Sequence, residues 1–207
     1  MTLNSKLLAL GLGLVSANAA HASFTVGTFA DPAGTSAQNF FRYTRLSSTT
    51  SFIEGAWLTD GLHLFTPGIP APDQMNVRFE IRDASNQLGL DVSWNGVEYL
   101  SEAGYVRFFD SSNATVLRMD FDAALLGGTG LSAGFGSGTN VTMSGPLGDP
   151  SWTQEHFSFA FTNFNPISNS ELTMSSAFTS SAVPEPISIA TLGLGVVALI
   201  RRRRNKS

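Results

Sequence analysis

Two carboxylates, Asp120 and Asp122, sit two residues apart in the alternating run Leu117-Arg118-Met119-Asp120-Phe121-Asp122. On a strand, side chains at i and i+2 share a face and stand about 7 Å apart. That spacing fits half of a calcium site, or an acid–base pair for glycoside cleavage. It equally fits a solvated strand face on which Arg118 is paired to a neighbour, and this plainer reading is the expectation. The metal and catalytic inventory elsewhere is thin. There are no cysteines, so thiol chemistry and thiolate ligands are excluded. His63 and His156 are far apart, with no second histidine at ligand spacing. No Gly-x-Ser-x-Gly, phosphate loop, His-Glu-x-x-His or EF-hand loop occurs. We therefore expect no catalytic residue, no enzyme activity and no cofactor, with calcium at Asp120 and Asp122 as the weak exception.

Aromatic side chains offer the other route to function, because ring faces stack on the C–H faces of sugars. The three tryptophans are Trp57, Trp94 and Trp152. Trp94 alternates with Leu90 and Val92, which assigns it to the core. Trp152, after Asp149-Pro150-Ser151, is the candidate ligand contact, with a loop anchor as its plainer role.

The elements that must position these residues are strands. Val77-Arg78-Phe79-Glu80-Ile81-Arg82 and His156-Phe157-Ser158-Phe159-Ala160-Phe161 alternate with period two, as a half-buried strand does. If the strand of Arg78, Glu80 and Arg82 lay beside that of Arg118 and Asp120, cross-strand ion pairs would account for both charged stripes. Asn95-Gly96 between apolar alternating runs predicts a tight hairpin, and Asp60-Gly61 a second. Only residues 122–126 suggest a helical turn. Ten to twelve short strands, sixteen phenylalanines and Gly/Ser/Asn turns predict an all-β domain: an antiparallel β-sandwich of jelly-roll type.

Both ends of the chain differ from this middle. Residues 1–22 carry Lys6, an apolar stretch from Leu7 to Val15, and Ala20-His21-Ala22. Small residues at Ala20 and Ala22 fit a signal-peptidase site, with cleavage after Ala17-Asn18-Ala19 as the alternative. Residues 182–207 hold Pro184-Glu185-Pro186, an uncharged run from Ile187 to Ile200, and Arg201-Arg202-Arg203-Arg204. The run suits a transmembrane helix, and four arginines form a basic stop that stays on the cytoplasmic side. An N-terminal signal helix and a C-terminal transmembrane helix thus flank an exported domain, residues 23–181. The middle holds 15 acidic residues against 6 arginines and no lysine, a net −9 within a chain of net −4. Such a surface repels nucleic acid.

The Pro-Glu-Pro triplet, apolar run and arginine cluster, in that order at the C-terminus, resemble the PEP-CTERM sorting signal, also labelled ice-binding protein C-terminal domain. The resemblance covers only about Val183 to Arg204. It implies a Gram-negative host in which an exosortase, a membrane-embedded cysteine transpeptidase-like enzyme, recognises Pro184, Glu185 and Pro186. The chain would be held briefly in the inner membrane, then released or re-anchored at the cell surface. The resemblance also implies an association with exopolysaccharide and biofilm. Ice binding finds no regular threonine array to support it. Three readings of the middle remain open: a non-enzymatic surface or matrix protein, a carbohydrate-binding module, and a secreted hydrolase. An exposed aromatic row would favour the second, and a cleft with paired carboxylates the third.

Overall fold

The computed structural model describes residues 23–29, 40–70, 72–127, 129–134 and 139–184. Ala20 and Ala22 of the expected signal-peptidase site, the run expected to form a transmembrane helix, Glu185, Pro186 and Arg201–Arg204 lie outside the described residues. Residues Ser23–Val183 form one compact unit.

Every regular element among the described residues is a strand. In chain order they are β1 (Phe24–Phe29), β2 (Phe41–Arg45), β3 (Thr50–Phe65), β4 (Gln74–Asp83), β5 (Leu90–Trp94), β6 (Tyr99–Ser101) and β7 (Gly104–Phe109). There follow β8 (Thr115–Phe121), β9 (Leu125–Gly127), β10 (Gly130–Gly134), β11 (Val141–Ser144), β12 (Trp152–Pro166) and β13 (Glu171–Pro184). The alternation places β4 and β8 well because each has one mainly apolar face: Val77, Phe79 and Ile81 of β4 are buried, as are Leu117, Met119 and Phe121 of β8. The helical turn expected over 122–126 is absent; Leu125–Gly127 is instead the short strand β9.

The thirteen strands of the described residues belong to one hydrogen-bonded sheet; twelve follow the order β1-β13-β12-β10-β9-β6-β5-β3-β4-β7-β8-β11, and β2 lies off this path. The ladders do not separate into two sheets. They close on themselves because β2 pairs with both β13 and β3, and β1 likewise pairs with both. Following the path from β13 through β12, β10, β9, β6 and β5 to β3, and back across β2, gives a complete ring of strands.

Long β3 makes this closure possible. Its first half lies between β2 and β5, and its second half pairs with β4 and, at Phe65, with β1. The predicted hairpin at Asp60-Gly61 is a bulge inside this strand: the register with β4 shifts between Trp57 and Leu62. Gly61, at φ 108°, takes the left-handed conformation that a bulge needs and a side chain resists. The Asn95-Gly96 hairpin forms as expected, with Trp94 opposite Tyr99. Asn95 Oδ1 accepts from the N–H groups of Val97 and Glu98, and Gly96 has φ 102°.

Rings from strands that are not ladder neighbours meet in the interior, so the sheet is folded over its own apolar face. Phe79 on β4 stacks on Phe159 of β12 with centroids 5.7 Å apart, and Phe108 on β7 meets Phe178 of β13 at 4.8 Å. Phe29 on β1 touches both sides, at 5.8 Å from Phe79 and 5.4 Å from Phe178. Truncating such a ring removes its transfer free energy and leaves a cavity. Phe79→Ala should lower unfolding stability by about 3–5 kcal/mol, whereas half-exposed Phe164→Ala should cost less than about 1 kcal/mol. Denaturant titration of both variants checks this.

A ring-lined groove at the mouth of the strand ring

The ring of strands ends in an open mouth where the core gives out. Its lining comes from inward-facing positions one step beyond the buried layer: Tyr43 beyond Phe41 on β2, Leu172 beside Met174 on β13, and Tyr99 on β6. Tyr43 pairs in register with Leu172, and Tyr99 with Leu126. On β12 the alternation that buries Phe157, Phe159 and Phe161 is broken at Asn163, which has φ 52°. That residue resets the parity, and Phe164 joins the lining instead of pointing outward.

The result is an apolar cavity of about 250 Å³ lined by Tyr43, Tyr99, Leu126, Gly127, Phe161, Phe164, Leu172 and Met174. A second hollow of about 410 Å³ shares Tyr43, Tyr99 and Leu172 with it. Its other walls are polar: Arg45, Ser168, Asn169, Ser170 and Glu171, with Pro166. The two form one groove with a ring-lined floor and a rim of hydroxyl, amide and charged groups. Both tyrosine hydroxyls are fixed, Tyr43 by Ser51 Oγ at 2.7 Å and Tyr99 by the Ser48 carbonyl at 3.1 Å. The rings are thereby held in place as faces. Trp94, placed in the core by its alternation with Leu90 and Val92, is 42 % exposed and packs on Tyr99 at 5.0 Å. Strand β5 ends there, past the last buried layer, so the ring has no core to enter. Phe164 is 50 % exposed, and Leu46 and Ile167 are also exposed large apolar residues.

Glu171 is the one carboxylate of the groove's described lining, and Arg42 Nε holds it at 2.7 Å. The carboxylates singled out by spacing lie elsewhere. Arg118 clamps Asp120 on its own strand, with Nε 3.0 and 2.9 Å from its two oxygens and Nη2 2.6 Å from Oδ1. The same guanidinium lies 3.6 Å above the Tyr105 ring. Asp122 accepts from the Asn140 backbone N–H and from its Nδ2. The condition under which the two charged stripes would pair is not met, because β7 lies between β4 and β8. Glu80 is buried and bonds Arg82 at 2.9 Å and Arg107 of β7 at 2.8 Å. Among the described residues no group of three or more His, Asp or Glu converges on a metal position.

The remaining candidates are structural in placement. Trp152 is half-buried and edge-on to Phe24, 5.1 Å away, which pins β12 to β1. Trp57 is buried against Phe40, and its Nε1 has no partner among the described residues. His63 is exposed, and burial lowers the pKa of His156. Turn hydrogen bonds to Ser112 and Ala114 lower the pKa of Asp110, and bonds to Ser151 lower that of Asp149. Pro184, the first residue of the triplet, ends β13 and is exposed.

Glu155 was not foreseen. It continues the inward parity of Phe157, Phe159 and Phe161 by one step, is buried, and accepts the Met143 N–H at 2.9 Å. Its carboxylate thereby bridges β12 to β11, the strand at the far end of the sheet path. Burial raises its pKa, partly offset by that N–H. The folded chain therefore holds a proton that the unfolded chain releases. This stabilisation is full below the unfolded value of 4.5 and is lost as pH rises through the raised folded value. Glu155→Gln keeps the acceptor and should gain stability relative to the native chain as pH rises from 4 to 7. Glu155→Ala strands the Met143 N–H and should cost about 1–3 kcal/mol. Urea unfolding across that pH range checks both.

Comparison with known proteins adds one assignment, and it falls outside the groove. No curated protein and no solved structure matches the chain. The family model described as the PEP-CTERM protein-sorting motif matches residues 182–204. The chain therefore carries a PEP-CTERM sorting motif at its C-terminus, joined to a β domain of no recognised family.

Proposed function

We propose that this chain is a non-enzymatic protein of the cell surface or extracellular matrix, exported, processed by an exosortase, and bound to extracellular polysaccharide through its groove. The sorting motif implies export, transient anchoring in the membrane and exosortase processing. A signal peptidase acting at Ala22 would open the mature chain at Ser23. The observation that carries the binding role is the groove itself. Rings of Tyr43, Tyr99 and Phe164 offer apolar faces beside a rim of serine, asparagine and charged groups, and exposed Trp94 packs on Tyr99 next to them. Sugars present the same duality of C–H faces and hydroxyl edges, and binding sites commonly join an apolar lining to a few polar groups. A glycan-binding module is thus the favoured form of the surface protein. A hydrolase is disfavoured, because the groove's one carboxylate is committed to Arg42. The folded-over sheet we read as a sandwich of jelly-roll type.

The test is affinity electrophoresis of the mature protein through gels containing the producer's own polysaccharide. The native chain should be retarded, and Tyr99→Ala with Trp94→Ala should run at least threefold closer to the polysaccharide-free mobility. Equal mobility of all forms in every gel, or release of reducing sugar from the polysaccharide, would sink the reading.

We also propose that Asp120 and Asp122 hold no metal. Their oxygens serve Arg118 and Asn140. Asp120→Asn with Asp122→Asn should cost about 1 kcal/mol or less, as exposed ion pairs usually do. Thermal melts in calcium and in chelator should superimpose; a calcium-dependent rise of several degrees, lost in the double variant, would refute this.

A further inference from the structure

The last strand of the domain runs up to the first residue of the sorting triplet. Ser- and Ala-rich residues 175–183 read in part as a flexible linker, but β13 runs unbroken to Pro184. The matched sorting segment starts at residue 182, inside that strand. Ala182 is fully buried and Val183 is 5 % exposed. Ala182 pairs with Phe24 and Ser181 with Thr25 across the β1–β13 ladder. The Val183 carbonyl accepts from Thr153 Oγ1 at 3.3 Å. Four residues upstream of Ala182, Phe178 is locked among Phe29, Phe108 and Phe159. An enzyme that takes up Pro184-Glu185-Pro186 in extended form also needs backbone on the upstream side. The two residues it would take are held in the core.

We propose that the domain gates its own processing: closure of β1 onto β13 withholds the sorting motif, and the processing enzyme acts on chains whose last strand is still open or has peeled back. The inference rests on the exosortase reading above. It follows from chain order as well. β1 leaves the membrane first and β13 last, so the ladder that buries Ala182 closes only after the rest of the domain is across. Processing therefore competes with the final step of folding.

The experiment follows conversion of full-length precursor to mature protein by pulse-chase and intact mass in an exosortase-positive host. One variant carries Gly-Ser-Gly-Ser-Ala-Val inserted between Val183 and Pro184, which keeps both the strand and the matched segment whole. Its precursor half-life should fall at least threefold. A second variant, Thr25→Cys with Ser181→Cys, ties β13 to β1. Paired antiparallel residues lie about 4.5–5.5 Å apart between Cα atoms, within disulfide reach, and the chain has no other cysteine. The oxidised form, verified by mass, should mature at least threefold more slowly than the reduced form. An unchanged half-life in the spacer variant or in the oxidised pair overturns the gate. Glu185→Ala separates this from the underlying reading: it should block maturation, and normal maturation would overturn exosortase recognition itself.

Discussion

Double pairing of β1 and β2 closes this sheet. Each of these short strands bonds to β3 on one side and to β13 on the other. Without them the path from β13 to β11 would be a long open ribbon with unpaired N–H and C=O groups along both edges, an invitation to pair with other chains. With them, β3 and β13 become the two rails on which the domain is folded. The phenylalanine cluster depends on the same closure, since Phe29 of β1 is the ring that touches Phe79 on one side and Phe178 on the other. The mouth of the groove depends on it too, because β2 supplies Tyr43.

Period-two alternation made the strands legible: the runs from Val77 to Arg82 and from His156 to Phe161 fall whole within β4 and β12. Strand length and partnership were harder. An Asp-Gly pair signals a turn in sequence, yet at Asp60-Gly61 it makes a bulge, because β4 continues to offer partners beyond it. Serine and alanine at 175–183 look like a linker, yet Ser176, Ser180 and Ala182 are buried there. Their small size suits a strand whose neighbours approach closely, as when Ser180 Oγ accepts the Gly27 N–H and donates to its carbonyl. Period alone cannot separate that from a flexible segment.

The groove was the least legible part, for a physical reason. Its lining faces inward by parity, so Tyr43 and Tyr99, like neighbouring Trp94, carry the signature of core residues. What exposes them is that the ring ends there, a property of how distant strands stagger. Sequence did hold one usable hint to the groove. Trp94 and Tyr99 flank the Asn-Gly turn at opposed positions, which brings both rings to one end of a hairpin. Glu155 stands one alternation step before Phe157, which assigns it to the inside. Buried charges elsewhere are managed by pairing: Glu80 keeps both oxygens occupied by arginines, so its burial leaves no charge uncompensated.

The placement of β13 has a mechanical consequence. It is the last strand before the tail, and it lies between β12 on one side and β1 and β2 on the other. A tether attached beyond Pro184 would pull along the strand axis, while antiparallel ladder bonds run across it. Load applied in that direction is shared by many bonds at once, as in a lap joint, instead of breaking them one by one as a zipper does. A load carried along β13 would thus be spread over the whole strand and would not unravel the domain from that end.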